Sequence, residues 1–283
     1  MTQEINRSIC WIDDRWRDKN EVTIPICDRG LSLGDGIFET ILIYKGIPKL
    51  LTNHVNRMHK NASILNMDSP PSEAWLQPLI MDGISYASLE NNNGILRLNW
   101  SRGNNIYRGI DIPSNTQKAL KYRFWLEINS GNPCFQSITT TISRHEKRNQ
   151  YSKLSSCKTF NYGQAIQAKI EAKLSGFDES LLLNTSDELC CSSSANILVL
   201  RQNEWITPPL TSGCLPGIMR QQGIDTGRVK EAKINKIPET GDKWLLINSL
   251  SCRPIRKINN YSLSTFSTPK EFWLSLINSK LAS

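Results

Sequence analysis

The sequence predicts an α+β protein built from two domains. Three observations carry this. A chain of 283 residues is comfortable for two domains and can bury a substantial core. Hairpin-like β patterns are mixed with stretches of helical spacing. A polar stretch of turn formers, Ser130-Gly131-Asn132-Pro133, marks the boundary, which places the domains at 1–130 and 134–283.

In the first half, Glu21 to Ile26 reads as a strand, and Cys27-Asp28-Arg29-Gly30 as a turn. Gly34-Asp35-Gly36 makes a second break before the β-rich run Ile37 to Tyr44. Lys45-Gly46 reads as a hairpin turn, with the chain returning through Ile47 to Leu51. Leu51, Val55, Met58, Ala62 and Leu65 then follow helical spacing. A second helix is predicted over 72–90, ended by Asn91-Asn92-Asn93-Gly94. Ile95 to Trp100 and Tyr122 to Ile128 read as strands. In the second half, strands are predicted at 137–143, 181–183, 196–200, 205–207 and 244–247. Helices are predicted from Asn161, with an apolar stripe of Tyr162, Ile166, Ile170 and Leu174, from Pro216, and over 269–281.

Composition narrows the function. Hydrophobic residues make up 39% and charged residues 21% of the chain, so nothing suggests global disorder. No apolar run reaches membrane-spanning length, and acids and arginines interrupt the first residues where a signal core would stand, so a cytoplasmic protein is expected. The eight cysteines contain no C-x-x-C pair and lie mostly far from the three histidines, which argues for reduced thiols and against a metal site. The formal charge is +8, but the basic residues are scattered. A nucleic-acid partner is not expected; a positive potential that draws in anionic substrates is.

Three features suit chemistry. Pro216-Gly217-Ile218 opens a helix, and free amides at a helix start favour phosphate. His54 and Arg57 stand three apart on one helix face, a spacing that reads first as an exposed pair. Lys158 sits in a weakly charged segment just before a helix, where a desolvated amine would serve as a nucleophile.

Their order along the chain carries more. Asp28-Arg29-Gly30-Leu31-Ser32-Leu33-Gly34-Asp35-Gly36-Ile37-Phe38-Glu39-Thr40, followed by His54-x-x-Arg57, resembles the opening of the fold-type IV pyridoxal 5'-phosphate (PLP) enzymes, the class-IV aminotransferase family. Lys158-Thr159-Phe160-Asn161-Tyr162, Ala195-Asn196-Ile197, Thr207-Pro208 and Leu215-Pro216-Gly217-Ile218-Met219-Arg220 resemble its later motifs in the same order. The resemblance implies a D-amino acid aminotransferase-like α+β fold, with a smaller N-terminal α/β sandwich and a larger C-terminal pseudo-barrel that holds the lysine. It implies PLP as cofactor and a homodimer. Residue by residue, it implies that Lys158 bonds the cofactor and shuttles protons. Arg57 and the amide of Ile218, beside Gly217, would hold the phosphate, with Asn248 or Ser249 as a further contact, and Arg108 would meet a substrate carboxylate.

Within the family the resemblance leaves two main activities, amino transfer and the cleavage performed by 4-amino-4-deoxychorismate lyase. Cys190-Cys191-Ser192-Ser193-Ser194-Ala195-Asn196, Gly217-Ile218-Met219-Arg220-Gln221 and Ile247-Asn248-Ser249-Leu250 are similar to the lyase, and Thr40 falls where the lyase has a catalytic threonine. One position departs from the family. A glutamate that pairs with the cofactor's ring nitrogen normally stands five residues before the asparagine, and here that residue is Cys191. A thiol in that place implies a weaker electron sink, which suits an aromatising elimination better than full amino transfer; the alternative it leaves is a PLP-binding homologue whose activity is weak or lost.

Overall fold

The computed structural model describes residues 8–105, 109–112 and 121–279. It divides into two compact units, Met1–Asn132 with Lys158–Asn161, and Pro133–Cys157 with Tyr162–Ser283. The lysine segment, which sequence reading assigned to the second domain, thus groups with the first.

The first unit is built on a six-stranded antiparallel sheet. Its strands are β1 (Ile9–Ile12), β2 (Arg15–Asp18), β3 (Gly36–Tyr44), β4 (Ile47–Pro48), β5 (Gly94–Ser101) and β6 (Arg123–Ser130), in the order β2-β1-β6-β5-β3-β4. The helices are α1 (Arg29–Leu33), α2 (Leu51–Ile64) and α3 (Glu73–Tyr86). Strand alternation gives the sheet two unlike faces. Ile37, Ile41, Ile43, Leu96, Leu98, Leu126 and Ile128 point to one face, where they pack with Val55, Met58 and Ala62 of α2 and Leu76, Ile80 and Ile84 of α3. Phe38, Thr40, Arg97, Asn99, Trp125 and Glu127 share the other face, because the register pairs Phe38 with Asn99, Thr40 with Arg97, Asn99 with Trp125 and Arg97 with Glu127.

Several sequence expectations change here. Glu21–Ile26 forms no strand; Pro25 supplies no N–H, and residues 22–25 run without a ladder partner. The hairpin in this region is β1–β2, turned by Asp13 and Asp14, both with positive φ. The turn expected at Cys27–Gly30 leads into α1, with Asp28 capping its start through Gly30 N and left-handed Gly34 (φ 67°) closing it.

The second unit carries a nine-stranded mixed sheet, with strands β7 (Ile138–Arg148), β8 (Glu179–Asn184), β9 (Leu189–Ser192), β10 (Asn196–Arg201), β11 (Glu204–Thr207), β12 (Val229–Glu231), β13 (Lys243–Asn248), β14 (Ser251–Ile258) and β15 (Tyr261–Ser262). The order is β12-β11-β10-β13-β14-β7-β8-β9, with β15 on β14. The sheet curls into a half-barrel as β9 runs into β10 through three residues. Leu181, Leu183, Leu189, Ile197, Val199, Trp244, Leu246 and Ile255 form its main core. Helices α4 (Gly163–Leu174), α5 (Ile218–Asp225) and α6 (Pro269–Ile277) complete the unit. α4 is turned opposite to the predicted stripe. Its small residues Ala168 and Ala172 are buried, while Ile166, Ile170 and Leu174 are exposed. All eight cysteines are free thiols. Among the described residues no helix is long and apolar enough to cross a membrane.

Candidate functional site

In the first unit, Lys158 is seated by backbone. Phe38 N donates to Lys158 O and Phe160 N to Gly36 O, both at 2.9 Å, around an antiparallel bridge of Ile37 with Thr159. The segment therefore lengthens the exposed edge of β3. Bridge geometry turns Lys158 and Phe160 to the face of Phe38, and the Lys158 ammonium lies 4.1 Å from the centre of that ring. The glycine motif exists for this seat. A Cβ at Gly36 would strike the Phe160 ring, one at Gly30 would come within 2.8 Å of it, and one at Gly34 would strike Asn161 Oδ1. Behind the motif, buried Asp28 accepts from Gly30 N at 2.8 Å and from Ser101 Oγ at 2.5 Å and pairs with Arg123. Asp35 bridges Arg29 and Arg102, both at 2.8 Å.

The face beside Lys158 holds a guanidinium that sequence reading missed. Arg97 lies 3.8 Å from the Phe38 ring centre, and its Nε donates to Asn99 Oδ1 at 2.8 Å. Thr40 is its cross-strand neighbour. Sequence alone gives no signal for Arg97 without the register, since an arginine in a strand reads as solvent-facing.

On the opposite face of the same sheet, His54 and Arg57 are not exposed. They are 1% and 8% accessible and close on Glu39, which is fully buried. Arg57 Nε donates to Glu39 Oε1 at 2.8 Å and Nη2 to Oε2 at 2.6 Å, while His54 Nδ1 meets Oε2 at 2.6 Å. Burial opposes ionisation of Glu39, but the Arg57 charge and the hydrogen bonds from His54 and Arg57 outweigh it and hold the carboxyl at about 2. Burial pushes His54 below its ordinary value, despite the Glu39 hydrogen bond. The carboxylate fixes the guanidinium bidentately and so sets its orientation. Glu39 was not singled out from sequence; the signal was a lone acid on the apolar face of β3. Arg108, the expected carboxylate contact, lies outside the described residues.

In the second unit, Gly217 is the N-cap of α5 and offers no side-chain cap to the amides of the first turn, which begins at Ile218. An added Cβ at Gly217 would collide with Asn196 Oδ1, and Asn196 Nδ2 donates to Leu215 O at 2.9 Å, so the approach to this helix end is fixed. Asn248 ends β13, where its Oδ1 accepts from Leu250 N at 2.9 Å and Ser251 Oγ at 3.0 Å; Ser249 lies in the turn. Cys191 is buried on β9, opposite Leu182, and clusters with Cys190, Cys214 and Ala168. A hydrogen bond from the Cys190 thiol lowers the Cys191 thiol, with Arg148 assisting against burial, and the same bond raises Cys190. Arg148 pairs with Asn184 on the strand next to Leu182, which puts it on the Cys191 side of the sheet, and its buried Nε has no partner. Glu179, whose charge acts on Cys191, and Glu188, three residues before it, are engaged elsewhere. Glu179 binds Lys169 at 2.6 Å and Ser180 N at 2.8 Å, and Glu188 pairs with Lys233.

The model of the class IV amino-transferase family matches residues 36–258. The chain belongs to this family. A branched-chain-amino-acid aminotransferase of Methanocaldococcus jannaschii, provisionally so named, is 24% identical over 233 residues, covering 81% of this chain and 78% of that protein. Among solved structures, the branched-chain aminotransferase of Thermoproteus uzoniensis superposes with a TM-score of 0.83 at 20% identity, covering 95% of this chain and 93% of the other. A protein of Legionella pneumophila, provisionally named a 4-amino-4-deoxychorismate lyase, gives 0.78 at 22% identity, covering 92% and 96%. These likenesses establish the fold-type IV architecture. The family's cofactor is PLP. In the first unit an amine held on an aromatic ring suits its aldehyde, and in the second a helix start whose N-cap must stay glycine suits its phosphate.

Proposed function

We propose that this chain is a PLP-dependent lyase that converts 4-amino-4-deoxychorismate into 4-aminobenzoate and pyruvate, a step toward folate. The observation that supports this reading is that Lys158, Thr40 and Arg97 share one face of the first unit's sheet, around Phe38. That face brings an amine, a hydroxyl and a guanidinium together, which is the set an elimination from a cyclic carboxylate calls for. When bound, PLP supplies the conjugated ring that withdraws electrons from the substrate. Lys158 would hold it and, with its amine free, would take the ring proton next to the substrate's nitrogen. Thr40 Oγ1 gives a proton to the methylene carbon of the departing enolpyruvyl group. Arg97, with Arg108, holds a substrate carboxylate. By resemblance to the family, Arg57 and the amide of Ile218 beside Gly217 would hold the phosphate, with Asn248 or Ser249 as a further contact, and Cys191 would take the place of a carboxylate at the ring nitrogen. Homodimers in the cytoplasm are the expected form.

The test is pyruvate and 4-aminobenzoate release from the PLP-loaded protein, alongside borohydride trapping and peptide mapping. Release, with the tag on Lys158 and lost in Lys158→Ala, supports the reading; a tag on another residue, or no release, rejects it. A second reading, amino transfer from branched-chain or D-amino acids, is favoured by the names of the relatives. It predicts an amino acid-driven conversion of the cofactor to its amine form without pyruvate release. A protein that traps PLP but acts on neither substrate class would instead be a catalytically impaired homologue, a third reading that the thiol of Cys191 motivates.

A further inference from the structure

The aromatic rings next to Lys158 take no part in the proton transfers assigned above. Phe160 follows Lys158 by two residues in extended backbone, so the two side chains project to the same side. Its ring centre lies 6.2 Å from Phe38 and 5.7 Å from Trp125, with the planes inclined at 30° and 47°. Trp125 is paired across the sheet with Asn99 and so belongs to the face of Thr40 and Arg97. Phe38 is buried, but Phe160 and Trp125 are only half-buried. Gly30 and Gly36 are what let the Phe160 ring lie down there.

We propose that Phe160, backed by Trp125, presents an aromatic wall beside the Lys158 amine that favours carboxylic acids on a planar six-membered ring, the ring the elimination forms from a substrate with two tetrahedral ring carbons, over puckered ones. Aromatic faces and edges reward a planar π-system with attraction beyond the area buried, and a puckered saturated ring gains only the area. Arg97, on the same face, gives such an acid a partner for its carboxylate. The inference rests on Lys158 being the reactive amine, as proposed above, and adds the class of molecule the wall selects.

The probes are benzoate and cyclohexanecarboxylate, which match in carbon count and differ in planarity and carry no amine to react. Each is titrated calorimetrically into the PLP-loaded protein. The wild type should bind benzoate more tightly. Phe160→Leu should weaken benzoate by about 3- to 10-fold, the size of an aromatic pair contribution, and leave cyclohexanecarboxylate within about twofold. Equal weakening of both acids, or benzoate unchanged, overturns the proposal. Trp125→Leu must show the same selective loss, and it decides the matter if circular dichroism finds Phe160→Leu unfolded. Borohydride mapping on the same preparations separates the two readings. A missing Lys158 tag rejects the assigned amine; a Lys158 tag with no preference between the acids rejects the wall alone.

Discussion

Glutamine at position 39 would keep the shape of the side chain and remove its charge. In the native protein that charge faces Arg57 and His54 with no access to water. A carboxyl held at about 2 in place of its ordinary 4.5 corresponds to about 3 kcal/mol of stability at neutral pH, at ~1.36 kcal/mol per pH unit. Leaving one member of a buried ion pair without its partner costs about 3–5 kcal/mol, so the two routes agree. The sign follows from the direction. Glu39 ionises more readily folded than unfolded, so its contribution is complete above about pH 4.5 and drains away as pH falls toward 2. Glu39→Gln should therefore be less stable than the wild type by about 3 kcal/mol at pH 7. The gap should close as the solution is acidified, because the wild-type carboxyl becomes neutral too. Denaturant unfolding of the apo-protein from pH 7 to pH 3, followed by circular dichroism, measures it. A gap that stays constant across this range, or is absent at pH 7, refutes the reasoning.

Gly36→Ala should drive Phe160 off the sheet and lower stability by about 1–3 kcal/mol, read as a fall in melting temperature, with a matching loss of trapped cofactor on Lys158. Thr40→Val removes one hydroxyl from the face of Lys158 and should cut pyruvate release by about 100-fold or more while PLP absorbance is retained. Cys191→Glu restores a carboxylate beside Arg148 and should raise the amino acid-driven conversion of the cofactor, monitored by absorbance, relative to wild type.

The elements legible in the sequence were those whose pattern agrees with their surroundings. The β3–β4 hairpin turn was marked by Lys45-Gly46, both with positive φ, and α2 by an apolar stripe that does face the sheet. α1 was hidden because five residues are too few to show a period. α4 misled because its widest apolar side is its exposed side; only alanines fit against the sheet. Of the residues proposed for the site, Lys158 and Arg57 were singled out through motif order, whereas Glu39 and Arg97 were not. Glu39 breaks the alternation that strand reading relies on, and Arg97 gains meaning only from its register against Thr40 and Phe38. Long-range pairing of this kind has no local trace in the chain.

Lys158–Asn161 belongs to the first unit, while the residues on either side of it, Pro133–Cys157 and Tyr162 onward, belong to the second. The polypeptide thus visits the first unit twice. During synthesis the ribosome has finished six strands of that unit, and the long strand β7 after them, before the amine exists. No single cut yields one piece with both the complete seat and its lysine and another with an intact second sheet. A gene split at the Asn132–Pro133 junction would leave the amine on one product and the Phe38 ring that cushions it on the other.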